Sequence, residues 1–170
     1  GEVLIALHPV PSGAVDVVAG GVAQVDEDRL AQDPIAGEVF DTPEFAAGDE
    51  ILAYARKDTL VGGALAEYAA VPVRTAAHKP AELSFEQAAA LPLAGLTALQ
   101  SVRRTGVREG QTVLVHAAAG GVGQIAVQLA VHAGARVVGT ASPRNHDHLR
   151  SLGATPISYG DELVAQARDA

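Results

Sequence analysis

The sequence predicts an α/β protein whose first part is rich in β-strands and whose second part is a parallel sheet with helices. Up to Pro80 the chain consists of short apolar runs separated by turn-forming residues, which is the pattern of β-strands. From Thr112 onward, strand-like and helix-like segments alternate, which is typical of a parallel α/β sheet. We therefore expect a β-rich domain in residues 1–80, and two linking helices followed by half of an α/β domain in residues 81–170.

The apolar runs of the first part predict four strands. Each run is bounded by proline, glycine or a polar cluster that favours a turn. The four predicted strands are residues 3–8, 35–40, 50–54 and 66–73.

Capping signals mark the two linking helices. Ser84 and Gln87 have the spacing of a capping box, so we expect a helix to begin near Phe85. Pro92 fits the first turn of a second helix, which we expect to end at Gly106. Beyond it, the predicted strands are 112–117, 136–140 and 155–159, and the predicted helices are 122–133, 145–152 and one beginning at residue 161.

Composition and charge exclude several classes of partner. The 170 residues include 20 acidic and 12 basic side chains, and the net charge of −8 disfavours nucleic acid. No apolar stretch approaches the roughly 20 residues that cross a membrane. The absence of cysteine suits a reducing compartment, and we expect a cytoplasmic protein. The expected partner is a small molecule, and a homo-oligomer is left open.

The histidines do not predict a metal site. His146 and His148 are two residues apart on a predicted helix, so their side chains diverge, whereas ligands on one helix face are three or four residues apart. The remaining histidines are scattered, and a zinc centre has no cysteine to draw on.

A turn of small residues is the strongest functional signal. Residues 113–123 lead from a strand that we expect to be buried, through alanines and glycines, into a helix. Gly120 and Gly123 fit the second and third positions of the dinucleotide-binding fingerprint, with Ala118 at the first. Small residues let a phosphate approach the N–H groups of a helix N-terminus. The turn predicts a nucleotide site, and the alternative is a tight turn of purely structural value.

The end of the next strand predicts which nucleotide binds. A binder of NAD usually has an acidic residue there to accept hydrogen bonds from the ribose 2′-hydroxyl. This chain has Ser142, Arg144 and Asn145 instead, which attract a 2′-phosphate. NADP is therefore favoured. In the alternative interpretation, Ser142 only caps a helix and Arg144 is an ordinary solvated residue.

Four segments, in this order, resemble the medium-chain dehydrogenase/reductase superfamily. The most similar branch is that of the zinc-free NADPH:quinone oxidoreductases, with the enoyl reductase modules of polyketide synthases as relatives, and the resemblance covers nearly the whole chain. The segments are FAAGDE at 45–50, GGALAEY at 62–68, AALPLAGLTA at 89–98 and AAAGGVG at 117–123.

The resemblance implies a GroES-like β-domain and a Rossmann domain that enclose a cleft. NADPH would lie across the cleft and pass a hydride to a quinone or an α,β-unsaturated carbonyl compound. The family's positions imply that Gly120, Gly121 and Val122 line the pyrophosphate, Thr97 lies near the nicotinamide, Ser142, Arg144 and Asn145 meet the 2′-phosphate, Tyr159 lies at the adenosine end and Tyr54 is the candidate catalytic residue of the cleft.

Two of these implied roles have ordinary structural alternatives. Tyr159 has the position of a common aromatic residue at a strand end. Tyr54 has the position of a half-buried strand residue.

The sequence also departs from the family. Gly13 stands where the family has a cleft asparagine, and residues 35–44 are shorter than their equivalent. The chain stops after the third strand of the α/β sheet, so we expect a fragment in which strand 112–117 lies at a sheet edge. The leading hypothesis is an NADPH-dependent oxidoreductase or a fragment of one. The alternatives are a non-catalytic nucleotide-binding module and an excised enoyl reductase segment.

Overall fold

The structure, a computed structural model, describes residues 2–7, 21–24, 44–46, 49–54 and 68–170. Its internal contacts divide the chain into two units, Gly1–Leu93 and Ala94–Ala170. The predicted strand at 35–40 and the departure at Gly13 lie outside the described residues.

The first unit contains a five-stranded antiparallel sheet in the order β4-β1-β2-β3-β5. Ile51, Ala53 and Val71 are buried without exposed surface. The β-rich character of the first unit agrees with the sequence prediction, and a GroES-like fold for this unit stays a prediction. The strands are β1 (Glu2–Leu7), β2 (Gly21–Gln24), β3 (Glu50–Ala53), β4 (Tyr68–Pro72) and β5 (Ala76–His78).

Two of these strands, β2 and β5, are absent from the sequence prediction. Both are short and rich in small residues, so their apolar pattern is weak and their pairing with β3 defines them. The predicted strand 66–73 ends at Pro72, because Val73–Thr75 form a 3-10 turn. In that turn the hydroxyl of Thr75 donates to the Pro72 carbonyl at 2.8 Å.

The linking helices begin as predicted. Helix α1 (Phe85–Ala89) has a complete capping box, in which Gln87 N donates to Ser84 Oγ at 3.3 Å and Ser84 N donates to Gln87 Oε1 at 3.0 Å. Helix α2 (Leu91–Thr105) has Pro92 as its second residue. Gly106, with a φ of +66°, follows its end.

The second unit contains a three-stranded parallel sheet in the order β6-β7-β8, which confirms the predicted α/β architecture. Strand β7 is central, and its last four residues are buried. The core of the second unit includes Val127, Val137 and Leu149. The elements are β6 (Thr112–Val115), α3 (Gly121–His132), β7 (Arg136–Thr140), α4 (His146–Ser151), β8 (Ala154–Ile157) and α5 (Leu163–Asp169).

Strand β6 differs from the sequence prediction. It lies at the sheet edge, as expected, but it is not the buried strand that its apolar residues suggested, since Leu114 is 40% exposed. It ends at Val115, two residues before the predicted end, and Ala117 has a φ of +50°, which a strand cannot accommodate. No helix in the described residues is both long enough and apolar enough to cross a membrane.

Candidate functional site

The turn between β6 and α3 forms the centre of the candidate site. Ala117 is the one non-glycine residue with a positive φ in the described part of the chain. Its carbonyl accepts a hydrogen bond from Gly120 N at 2.9 Å, and the Gly120 carbonyl accepts from Gln124 N at 2.9 Å. The chain therefore reverses within the turn and passes directly into helix α3.

Glycine at position 123 allows the helix to lie against this turn. A Cβ at Gly123 would lie 2.3 Å from the Ala117 carbonyl oxygen and 2.8 Å from Ala118 Cα, which no side chain tolerates. Gly121 differs, because a Cβ there would meet nothing within 4 Å. The two glycines therefore have separate roles: Gly123 permits close packing, and Gly121 leaves the helix N-terminus open.

The N-terminus of α3 is suited to an anion. The first N–H groups of a helix have no partner within the helix, and its dipole places partial positive charge there. Gly121 and Val122, the first two residues of α3, are exposed. These are two of the three residues for which pyrophosphate contact was expected, and Gly120 is the residue that immediately precedes the helix.

The carboxyl end of β7 carries the residues expected at a 2′-phosphate. Ser142 and Asn145 are half-buried, and Arg144 is exposed in the 3-10 turn Pro143–Asn145. Ser142 makes no side-chain capping hydrogen bond. Among the described residues, Arg144 has neither an ion pair nor a side-chain hydrogen bond, whereas Arg150 pairs with Asp147 at 2.6 Å. Nothing in the described part of the chain therefore occupies the guanidinium of Arg144.

Tyr159 lies two residues beyond the end of β8, not within the strand as predicted. Its ring is on the surface, with 53% of the residue exposed, and its hydroxyl donates to the carbonyl oxygen of Thr140 at 3.3 Å. Tyr159 is thus held at the carboxyl end of β7, the strand that leads to Arg144. Its proposed contact with adenosine stays a prediction.

Thr97 and Tyr54 lie in different units. Thr97 is exposed on α2, where its carbonyl accepts from Ser101 Oγ at 2.8 Å. Tyr54 is half-buried directly after β3, and its N–H donates to the Thr75 carbonyl at 2.9 Å. Their roles beside the nicotinamide and the substrate stay predictions.

Sequence reasoning missed Thr140. This residue has no exposed surface, and its Oγ1 accepts a hydrogen bond from Ala117 N at 2.9 Å. The parallel register, in which Val115 pairs with Gly139, brings Thr140 beside the start of the turn. A hydroxyl at the end of an otherwise apolar strand was the available signal.

His146 and His148 have separate partners, as their spacing predicts. His146 Nε2 lies 3.2 Å from the Ala141 carbonyl, and His148 Nε2 lies 3.3 Å from Gln124 Oε1. The described residues contain no group of three or more side chains that could hold a metal ion.

Comparison with known proteins identifies the family, although no protein-family model matches the chain. A spectinabilin polyketide synthase system protein, NorB, from Streptomyces orinoci is 41% identical over 158 residues, which are 90% of this chain and 7% of that protein. The structure of the quinone oxidoreductase from Coxiella burnetii is 33% identical and has a TM-score of 0.78 over 96% of this chain and 56% of that chain. A quinone oxidoreductase from Escherichia coli, crystallised with NADPH, is 28% identical, with a TM-score of 0.73 over 99% and 53%.

The chain belongs to the medium-chain dehydrogenase/reductase superfamily. The resemblance drawn from four short motifs is thereby confirmed, including the likeness to quinone oxidoreductases. Within the superfamily, the chain spans about half the length of the two solved enzymes and a small part of the synthase.

Proposed function

We propose that this chain takes part in the NADPH-dependent reduction of a quinone or an α,β-unsaturated carbonyl compound. The observation that carries the proposal is the open N-terminus of α3 together with Arg144, which is exposed and has no ion pair among the described residues. The superfamily relatives support the general reaction class, since two of them are quinone oxidoreductases.

The proposed pyrophosphate contacts are at the start of α3. The N–H groups of Gly121 and Val122 belong to the helix N-terminus, which is a natural binding site for an anion. Gly120, which precedes the helix, has no side chain to obstruct the anion. The open space at Gly121 lets a phosphate approach the backbone. These residues fit the pyrophosphate of a dinucleotide.

The proposed 2′-phosphate contacts distinguish NADPH from NADH. Arg144 supplies a cationic donor, and Ser142 and Asn145 supply neutral ones. The strand end lacks the acidic residue that accepts the 2′-hydroxyl of NAD and repels a phosphate. The NADPH carried by the Escherichia coli relative supports the same choice.

Bound NADPH supplies the hydride, and this chain's residues orient it. We assign the pyrophosphate to Gly120, Gly121 and Val122. The nicotinamide end is assigned to Thr97, the adenosine end to Tyr159 and the substrate side to Tyr54. An excised enoyl reductase segment is the second candidate, because the synthase relative aligns with 90% of this chain.

Titration of the intrinsic emission of NADPH tests the cofactor assignment. The chain has no tryptophan whose quenching could report binding, so the nicotinamide's own emission is followed instead. We expect the emission to change and saturate, at lower concentrations for NADPH than for NADH. A folded chain that leaves NADPH emission unchanged up to millimolar concentrations would contradict the proposal.

Gly121→Asp tests the proposed pyrophosphate site, because it should weaken binding without disturbing the fold. A side chain fits there, and a carboxylate stabilises a helix N-terminus, so the variant keeps its fold. Its negative charge would repel the pyrophosphate, and we expect binding to weaken by at least about tenfold.

NADPH oxidation with a small quinone and with an enoyl thioester separates the two substrate classes. Binding without turnover favours the non-catalytic module.

A further inference from the structure

We propose that Thr140 is a positioning residue that holds the β6–α3 turn in the shape that receives the pyrophosphate, without touching the nucleotide. The inference rests on the proposed function, because the turn is the proposed pyrophosphate site. It concerns a residue at the end of β7, outside the glycine turn itself.

Thr140 bonds to the turn through both its side chain and its backbone. It has no exposed surface, its Oγ1 accepts from Ala117 N at 2.9 Å, and its carbonyl accepts from Ala118 N at 2.9 Å. Two consecutive N–H groups of the turn therefore end on one residue of the neighbouring strand.

Ala117 needs such support because of its backbone conformation. Its φ of +50° lies in the left-handed region, which is unfavourable for a residue with a Cβ. Such a conformation persists when the surroundings fix it. Because Ala117 lies beyond the end of the β6–β7 ladder, the Thr140 hydroxyl takes the N–H that the ladder no longer pairs.

The position of Ala117 is transmitted to helix α3. The Ala117 carbonyl accepts from Gly120 N, and the Gly120 carbonyl accepts from Gln124 N, each at 2.9 Å. The same carbonyl leaves no space for a Cβ at Gly123. A shift of Ala117 would therefore displace the first turn of α3, where Gly121 and Val122 lie.

Thr140 also connects the turn with the adenosine side. Its carbonyl accepts from the Tyr159 hydroxyl at 3.3 Å, in addition to Ala118 N. One buried residue thus joins the turn, Tyr159 and the strand that leads to Arg144. Nucleotide affinity is expected to depend on its hydroxyl even though Thr140 has no surface with which to contact a ligand.

The test compares Thr140→Val, which removes the acceptor and keeps the shape, with Thr140→Ser, which keeps the acceptor. We expect Thr140→Val to weaken NADPH and NADH by the same factor, about tenfold, because the Ala117 N–H loses its partner and the left-handed conformation of Ala117 loses its support. Thr140→Ser should bind as the parent does. A purely structural threonine would lower the melting temperature in Thr140→Val and leave both dissociation constants of the folded variant unchanged, which would overturn the proposal. Weakening of NADPH alone would also overturn it.

Amide exchange measured by NMR without nucleotide separates this inference from the proposed function. We expect the Ala117 amide to exchange at least about tenfold faster in Thr140→Val and at the parent rate in Thr140→Ser. If the parent binds neither nucleotide, the proposed function fails and the binding role of Thr140 fails with it, while the exchange rates still decide whether Thr140 holds the turn. If Thr140→Val does not fold, Thr140→Cys replaces it in the test, because a thiol is a weak acceptor. Its nucleotide affinity should be lower than that of Thr140→Ser but still measurable. Parent-like affinity in Thr140→Cys would refute the role of the acceptor.

Discussion

The methyl group of Ala118 fills the space that a side chain at Gly139 would need. A Cβ at position 139 would lie 2.8 Å from Ala118 Cβ and 3.1 Å from Leu149 Cδ1. Ala118 is buried, and its N–H is bonded to the Thr140 carbonyl, so it cannot move aside freely. Alanine at the first fingerprint position is therefore matched by glycine on the adjacent strand.

Gly139→Ala should destabilise the second unit. The added methyl group overpacks a closed core, for which the typical cost is about 1–3 kcal/mol. Urea denaturation of parent and variant measures the difference. Ala118→Gly combined with Gly139→Ala should recover part of the loss, since it removes the nearer contact. A single variant as stable as the parent would show that the core yields without cost.

Gly123→Ala and Gly121→Ala should have opposite effects on stability. Gly123→Ala places a methyl group 2.3 Å from the Ala117 carbonyl oxygen, and this overpacking should lower the free energy of unfolding by about 1–3 kcal/mol or more. The second enters open space in a helix, where alanine is favoured over glycine by up to about 1 kcal/mol. Thermal melting of both variants distinguishes them, and equal losses would contradict the separate roles of the two glycines.

Arg144→Ala should reduce the preference for NADPH. Loss of a charge-assisted hydrogen bond costs about 1.5–3 kcal/mol, and the exposure of Arg144 favours the lower end of that range. The dissociation constant of NADPH divided by that of NADH should rise accordingly, and should rise less at high salt. Ser142→Ala should act in the same direction but more weakly, because it removes a neutral donor.

Arg150→Ala is the control for this substitution. Arg150 is also exposed, but it is paired with Asp147, so its removal should leave the ratio unchanged. An unchanged ratio in Arg144→Ala as well would mean that Arg144 is an ordinary solvated residue.

Lys79→Met should destabilise the first unit far more than Glu50→Gln. The Lys79 side chain is 5% exposed, and its ammonium donates to the Leu83 carbonyl at 2.6 Å and to the Pro80 carbonyl at 3.2 Å. Its removal leaves the Leu83 carbonyl without this donor, at about 1–3 kcal/mol, whereas the Pro80 carbonyl keeps Leu83 N as a donor. The Glu50 carboxylate, 3.0 Å from Lys79 Nζ, is 51% exposed, so its neutralisation should cost below about 1 kcal/mol. Chemical denaturation measures the free energy of unfolding of both variants. Equal losses in Lys79→Met and Glu50→Gln would mean that Lys79 stabilises the unit mainly through its ion pair with Glu50.

Local signals in the sequence were sufficient for much of the second unit and for the start of α1 in the first unit. The bounds of β7 are those predicted, because a run of β-branched residues between a polar residue and a turn has few alternatives. The capping box at Ser84 fixed the start of α1 because both hydrogen bonds lie within one helical turn. The glycine turn and Arg144 were identified as candidate site residues by the same local reasoning.

The sequence by itself determined the alternation of strands and helices, the place of the turn and the chemistry at the end of β7. Only the tertiary structure decided that the edge strand β6 is half-exposed and not buried, that Ala117 adopts a left-handed conformation and that its N–H donates to Thr140. Periodicity and capping depend on residues within a few positions of one another. The Thr140–Ala117 bond joins residues 23 positions apart, and it exists because parallel pairing brings the ends of β6 and β7 to the same edge of the sheet.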